Sequence, residues 1–381
     1  MRYHALALLV AVLFSTACAS TTGSCPTLSP AANPAPAPPE PIAACPQPVS
    51  YPFRNLVLEG GGVKGIAYAG AFQALADQGI LDKLGPIAGT SAGAITATLV
   101  ALRYTPDQIR TLVFNLDFKR FEDGGATGIF RLFERFGWYR GNYPLNLMRC
   151  LIGNKAKSPR ATFQDLQTQG FRDLHVFATD LSTGQSVEFS AAKTPNAEVA
   201  LAVRMSMSIP LFFASVDFKP PGGSQGDVFV DGGVLRNYAI DAFDTRQRIN
   251  HETLGLTLTS GPPPHVDVNG LTTYAQSLFE TLLDVQVIDL ETNPPDLERS
   301  VLIDDLGIST TDFKLTDAQK NALIRKGFEC TCRYLSDWQS WQPPNSRPAA
   351  NLPGLGRSTR IETARKCGSA FGPGVTVPHG D

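Results

Sequence analysis

Gly89-Thr90-Ser91-Ala92-Gly93 sets a serine between two glycines in a G-x-S-x-G pattern. A hydroxyl becomes a useful nucleophile when it stands clear of the backbone and meets a base. On a strand-to-helix turn, flanking glycines allow a bend sharp enough to project the hydroxyl above the sheet, at a helix N-terminus. The pattern alone is common, so its context decides. An apolar "PIAGT" precedes the turn and "AGAITATLVALRY", with helical spacing, follows it, which is the context this chemistry needs.

Upstream lies Gly60-Gly61-Gly62-Val63-Lys64-Gly65, directly after the short apolar strand "NLVLE". One right-handed crossover separates the two loops, so both fall at the carboxyl edge of a single sheet. Backbone amides of Gly60, Gly61 and Gly62, with that of Ala92, can then face an acyl group on Ser91. Glycine suits the loop because a side chain would block close approach and because positive φ is open to it. Each such amide on an oxyanion is worth roughly 3 to 4 kcal/mol. The same loop aligns with a dinucleotide fingerprint, Gly60-x-Gly62-x-x-Gly65, but the acidic residue expected about 20 residues later is missing. No nucleotide is therefore expected, and Lys64 reads as a solvated loop cation rather than a base.

A serine nucleophile needs a proton acceptor. None of the five histidines (His4, His175, His251, His265, His379) sits in a recognisable catalytic motif. "VFVDGGVLRNYAI" offers Asp231 at the end of an apolar strand, with Gly232 and Gly233 leaving the carboxylate accessible. A carboxylate serves as base if it lies within hydrogen-bond reach and its surroundings raise its pKa. The plainer reading is an Asp closing a turn before Gly-Gly. Two other functions stay open on the residues alone: a Ser-Asp-His esterase using Ser91, Asp231 and His251, and a non-enzymatic lipid-binding lipoprotein.

"GGGVKG", "GTSAG" and "DGG", in that order, resemble the motifs of the patatin-like phospholipase family. "FATDLSTG" (Phe177 to Gly184) and "RMSMSIPLFF" (Arg204 to Phe213) are similar to segments of its bacterial members, and the likeness runs from Asn55 to Asp241. The resemblance implies a three-layer α/β/α fold with a mainly parallel central sheet, related to the catalytic domain of cytosolic phospholipase A2. It also implies a Ser91–Asp231 dyad, with Gly65, Gly89, Gly93, Gly232 and Gly233 as motif glycines, hydrolysing phospholipids or lysophospholipids at a membrane surface. That dyad is metal-independent, so no cofactor or Ca²⁺ is expected. Glu59 stands where many members have Asp, and the match weakens beyond Ser260.

The elements that must hold these residues follow from periodicity. Strands are expected at "NLVLE", "PIAGT", "LHVFATDL", "SVEFS", "DVFVDGG" and "TLGLTLT", and helices at "GIAYAGAFQALADQG" and "AGAITATLVALRY". Alternating strands and helices imply a parallel sheet wrapped on both faces. From Gly270 onward the pattern is mostly helical, with Thr316 and Gln319 in capping-box spacing. Between them, "IFRLFERFGWYRGNYPLNLMRCLIG" (Ile129 to Gly153) interleaves Phe130, Phe133, Phe136, Trp138 and Tyr139 with arginines. It reads as an amphipathic helix packing its aromatics on the core, the alternative being an interfacial lid. Asp180, Ser206 and Ser208 read as structural.

With 381 residues, 43% of them hydrophobic, the chain can bury a large core. Its net charge of −2 and the lack of any basic block give no pull toward nucleic acid. Residues 1–19 carry Arg2, an apolar run and small residues, the layout of a secretory signal. Cleavage after Ala19 competes with lipidation at Cys18, since "STAC" resembles a bacterial lipoprotein box with Ser15 in place of Leu. Residues 20–50 form a proline-rich tether that could extend roughly 90 Å, ahead of a catalytic domain over 51–340 and a Pro/Gly-rich extension over 341–381. The expectation is an exported protein, anchored as a lipoprotein in the periplasm or outer membrane, otherwise secreted. Seven cysteines, six without Cys18, suit disulfides in an oxidising compartment. Their connectivity is not legible, although Cys330 and Cys332 point to different sides of a helix and should not pair with each other.

Overall fold

The computed structural model describes residue 45 and residues 50–219, 226–259 and 265–340. The signal segment with Cys18, nearly all of the tether, and the 341–381 extension lie outside the described residues.

The chain runs through β1 (Asn55–Leu58), a 3-10 turn (Gly62–Ala67), α1 (Tyr68–Asp77), β2 (Ile87–Thr90), α2 (Ala92–Ala101) and α3 (Pro106–Asn115). Next come α4 (Gly128–Arg135), β3 (Gly137–Tyr139), α5 (Asn142–Gly153), α6 (Phe163–Thr168), β4 (Leu174–Asp180), β5 (Gln185–Phe189) and α7 (Val199–Ser206). Then follow β6 (Leu211–Phe213), β7 (Val216–Phe218), β8 (Asp227–Asp231), β9 (Thr253–Thr259), α8 (Leu271–Thr292), α9 (Pro294–Glu298), β10 (Ser300–Asp304) and α10 (Asp317–Ser340).

Strands β10, β9, β1, β2 and β4 lie side by side and parallel in an eight-stranded sheet. Parallel strands are buried on both faces and so are apolar throughout, which is why "NLVL" carries no polar alternation past Asn55. Leu56, Leu58 and Ile87 enter the main core, while Val57, Ala88 and Phe177 point the other way, against Ala239 and Ile240. The expected three-layer α/β/α class is what the chain adopts.

Three departures from the sequence reading matter. The tail is mostly helical as read, but β10 interrupts it and extends the sheet beyond β9. β5, β7 and β8 run antiparallel to their neighbours. The third is how β4 is shared. β5 pairs with Val176 to Asp180 along one edge of β4, which leaves the other edge to both β2 and β8. β2 pairs there up to Phe177, and β8, arriving from the opposite direction, pairs from Ala178 on. The carboxyl ends of β2 and β8 therefore meet end to end.

The capping box of α10 forms as read, with Thr316 Oγ1 accepting from the Gln319 amide at 3.2 Å. Cys332 on that helix is bonded to Cys45, 287 residues away in sequence, and Cys45 packs against a small cluster of Ala74, Phe328 and Cys332. A cross-link closing so long a loop should contribute about 2 to 4 kcal/mol. Urea unfolding should show Cys45→Ser and Cys332→Ser losing the same amount, with the double variant losing no more. Unequal or additive losses would mean that the two cysteines act separately.

Candidate active site

The site begins where β2 turns into α2. Ser91 has φ 51° and ψ −120°, a conformation that costs a non-glycine residue about 1 to 3 kcal/mol. Its neighbours make the bend possible. A Cβ on Gly89 would lie 2.3 Å from the Gly93 carbonyl oxygen, and one on Gly93 would lie 2.3 Å from that of Leu58. The Ser91 amide donates to Ser206 Oγ at 2.9 Å, and Ser206 in turn donates to the Phe177 carbonyl. The nucleophile's backbone is thus tied to α7 and β4.

Asp231 ends β8, facing the end of β2. Ser91 Oγ donates to Asp231 Oδ2 at 2.8 Å, and the Gly233 amide donates to Oδ1 at 2.7 Å. The Asp231 amide donates to the Ser208 carbonyl at 2.9 Å. The carboxylate is fully buried, and burial pushes its pKa up to about 7 against the opposing pull of those two hydrogen bonds and the nearby Arg204 charge. Arg204, itself buried, donates to the carbonyls of Gly141, Arg140 and Ala214 and to Ser208 Oγ. The "RMSMS" segment is therefore structural in a specific sense: Ser206 holds the Ser91 amide, Ser208 holds the Asp231 amide, and Arg204 braces the turn between them.

The glycine loop lies beside Ser91, since a Cβ on Gly60 would come 3.1 Å from Ser91 Cβ. The Gly60 amide does not face the site, because it donates to the Asn237 carbonyl at 3.1 Å. This corrects the expectation that Gly60 supplies an oxyanion donor; its part is to leave room. No acceptor among the described residues takes the amides of Gly61 or Gly62, and the Ala92 amide sits in the first turn of α2, where helices leave N–H groups unpaired. Gly62 combines φ +55° with a Thr310 carbonyl 2.0 Å from where a Cβ would be, so glycine is required there. Lys64 is not a solvated cation: it is half-buried and pairs with the buried Asp305 at 2.8 Å. Glu59, treated in the sequence as a minor departure, is buried, and burial raises its pKa to about 7. It accepts from Asn237 Nδ2 at 2.9 Å, the Leu258 amide at 2.7 Å and Thr257 Oγ1. These bonds fasten the root of the glycine loop to β9 and to the turn after Asp231.

An apolar pocket of about 860 Å³, its open mouth included, runs from Ser91. Ala92, Ile95, Thr96 and Leu99 line it along one stripe of α2, opposite Pro144, Leu147, Met148 and Leu151 of α5, both at helical spacing. From Ala92 to Leu99 this stripe is about 10 Å long.

None of the described histidines takes part, and His4 and His379 lie outside the described residues. His175 is held by Glu188 at 2.8 Å and Asp173 at 3.1 Å, and His265 faces Asp267. His251 precedes β9, at the end of the sheet opposite Ser91, so it cannot complete a Ser-Asp-His triad. No cluster of potential metal ligands occurs among the described residues.

α4 reverses the expected orientation of its aromatics. Phe130 and Phe133 are 72% and 78% exposed, and Ile129 and Phe136 are also exposed. Arg131 turns toward the adjoining turn and donates to the carbonyls of Trp138 and Gly124, while Arg135 pairs with Asp217 at the surface. Half-buried carbonyls of the adjoining turn hold the Arg131 guanidinium, and the rings are left to solvent. Trp138 and Tyr139 are half-buried, the latter packed on Phe212 at 4.8 Å.

Comparison with known proteins agrees with this fold. The model of the family described as "Patatin-like phospholipase" matches residues 56–244. YqhO of Bacillus subtilis (strain 168), an uncharacterised protein, is 33% identical over 300 residues, spanning 74% of this chain and 98% of its own. The "probable lipid hydrolase 463L" of Invertebrate iridescent virus 6 is 24% identical over 197 residues, spanning 50% of this chain and 62% of its own. Among solved structures, VipD from Legionella pneumophila superposes with a TM-score of 0.52 at 19% identity, covering 76% of this chain and 67% of that one. The chain belongs to the patatin-like phospholipase family, a family of lipid ester hydrolases.

The buried carboxylate makes stability depend on pH. With Asp231 at about 7 when folded against an ordinary value of 3.8, the folded chain binds this proton more tightly than the unfolded one. That contribution is fully present below about pH 4 and is lost as pH rises through 7. Asp231→Asn, which mimics the neutral acid, should gain stability relative to wild type between pH 4 and pH 8 in urea unfolding. A difference that does not change with pH would show that no buried charge is relieved.

Proposed function

We propose that this chain is a serine lipid acyl hydrolase that cleaves the carboxylic ester bonds of phospholipids or lysophospholipids at a membrane surface, through a Ser91–Asp231 dyad. The observation that carries the reading is the 2.8 Å hydrogen bond from Ser91 Oγ to a buried carboxylate, at the head of an apolar pocket shaped for an acyl chain. Ser91 Oγ attacks the ester carbonyl carbon while Asp231 accepts its proton. The amides of Gly61, Gly62 and Ala92 hold the oxyanion. When the tetrahedral intermediate collapses, Asp231 returns the proton to the departing alcohol and the acyl group stays on Ser91. Water then attacks the acyl-enzyme with Asp231 again taking a proton, and fatty acid leaves as Ser91 recovers its hydroxyl hydrogen. A base with pKa near the working pH suits both proton transfers. The outward rings of α4 support contact with a lipid surface.

Ser91→Ala and Asp231→Asn should each lower hydrolysis of a soluble ester by at least about 10³-fold, with circular dichroism unchanged. Wild-type kcat/KM should rise with pH through about 7 as Asp231 ionises. Folded Asp231→Asn retaining substantial activity would exclude the dyad.

We further place the protein outside the cytoplasm, anchored by a lipid on Cys18. The apolar leader and the Cys45–Cys332 disulfide support this. Metabolic labelling with palmitate should mark the wild type and not Cys18→Ala; an unlabelled wild type rejects the anchor.

A further inference from the structure

The glycine loop has little of its own to hold it in place. Four of residues 60–65 are glycine, so fixing the loop removes much backbone freedom, and only Val63 and Lys64 offer side chains to grip. Its far end is held from β10. β10 and β1 both run parallel to β9, so the chain after Asp304 and the chain after Leu58 emerge at one edge of the sheet. Asp305 is buried there, and its amide donates to the Thr259 carbonyl at 3.1 Å. Its Oδ1 accepts from the Gly307 amide at 3.0 Å, and its Oδ2 meets Lys64 Nζ at 2.8 Å. Further along the same segment, the Thr310 carbonyl accepts from the Val63 amide at 3.1 Å. Glu280 of α8 backs the segment, accepting from Ser309 Oγ at 2.7 Å and from the Thr310 amide at 3.2 Å. Burial works against the Lys64 charge, but Asp305, with Glu280 and Glu59 adding to it, more than offsets this and holds the lysine pKa above its ordinary value.

We propose that Asp305 is a positioning residue for the oxyanion hole, fixing the amides of Gly61 and Gly62 beside Ser91 through its ion pair with Lys64. The inference rests on the acyl hydrolase reading above and adds to it a residue beyond 244, where the match to the family model ends. The Lys64–Asp305 pair and the Val63–Thr310 bond fall on consecutive residues of the loop and come from one segment. Gly61 and Gly62 immediately precede them, and the Lys64 amide closes back on the Gly61 carbonyl at 3.2 Å. A shift of the Lys64 backbone therefore carries the Gly61 peptide with it. The pair is shielded, with side-chain exposures of 20% for Lys64 and 1% for Asp305, so it escapes the screening that weakens surface ion pairs. Donors to an oxyanion act only when aimed at where the charge develops, and a misplacement of about 1 Å costs on the order of 10²-fold in rate.

Asp305→Asn keeps an acceptor for the Gly307 amide and removes the charge that faces Lys64. On a short-chain ester in free solution it should lower kcat about 30-fold, below the effect of deleting a donor outright, while KM stays within about twofold. The rise of kcat/KM through about pH 7 should stay in place, because Asp231 keeps its surroundings. Inhibition by a trifluoromethyl ketone, which forms a charged hemiketal on a serine, should weaken by the same factor as kcat/KM. Lys64→Met/Asp305→Asn leaves no unpaired charge and should lose no more than Asp305→Asn alone; it reads the same effect if the single variant does not fold. Wild-type kcat in either folded variant overturns the proposal. So does a raised KM at unchanged kcat, a larger loss in the double variant than in the single, or a lowered urea midpoint with kcat unmoved. Wild type that fails on the soluble ester refutes the hydrolase reading instead, which separates the two failures.

Discussion

Two strands sharing one edge of β4 is the constraint from which the rest of this site follows. β2 ends opposite Phe177 and β8 ends opposite Ala178, so the next residue of one strand and the last of the other are brought together by backbone register. No side chain has to search for its partner. Ser91 and Asp231 are 140 residues apart in sequence, yet the ladder of β4 determines their approach. The strained elbow at Ser91 persists because its amide and carbonyl are both engaged, with Ser206 and with the first turn of α2.

That arrangement buries a carboxylate, and burying a charge is unfavourable unless hydrogen bonds compensate. Two bonds do so here, from Ser91 and Gly233, with Arg204 adding a favourable field. They do not restore the ordinary carboxylate pKa, and the remainder is what makes Asp231 suited to accept a proton near neutrality. A more solvated Asp would be more stable ionised and a poorer base. The same physics acts on Glu59, whose three donors sit at the root of the glycine loop. There the carboxylate joins β9, the loop and the turn after Asp231 into one rigid piece.

Two helices, α4 and α8, face the solvent with apolar residues, each for a stated reason. On α4, Arg131 is held by the carbonyl groups of Gly124 and Trp138. On α8 the inward positions are taken by Phe279, Leu283, Gln286 and Glu280, which serve the core and the site loops. Amphipathic patterning alone would have turned both aromatic or aliphatic stripes toward the core. Polar groups with specific partners in the fold override that preference, because leaving such a group without a partner is more unfavourable than exposing a ring.

Local chemistry in the sequence was enough for the elbow, the glycine loop, the "DGG" turn and the alternation of strands with helices, because each depends on residues adjacent in the chain. The glycines at 89 and 93, the apolar "NLVL" and the cap at Thr316 all report on contacts within a few residues. Tertiary structure decided whatever depends on partners distant in the chain. It assigned the Gly60 amide to Asn237, paired Lys64 with Asp305, put His251 at the wrong end of the sheet, inserted β10 beyond β9 and turned the phenylalanines of α4 outward. None of these had a local signal, since hydrogen-bond acceptors, strand register and burial are set by the whole packed chain. Motif spacing identifies which groups can react; the fold alone determines which of their atoms remain free to do so.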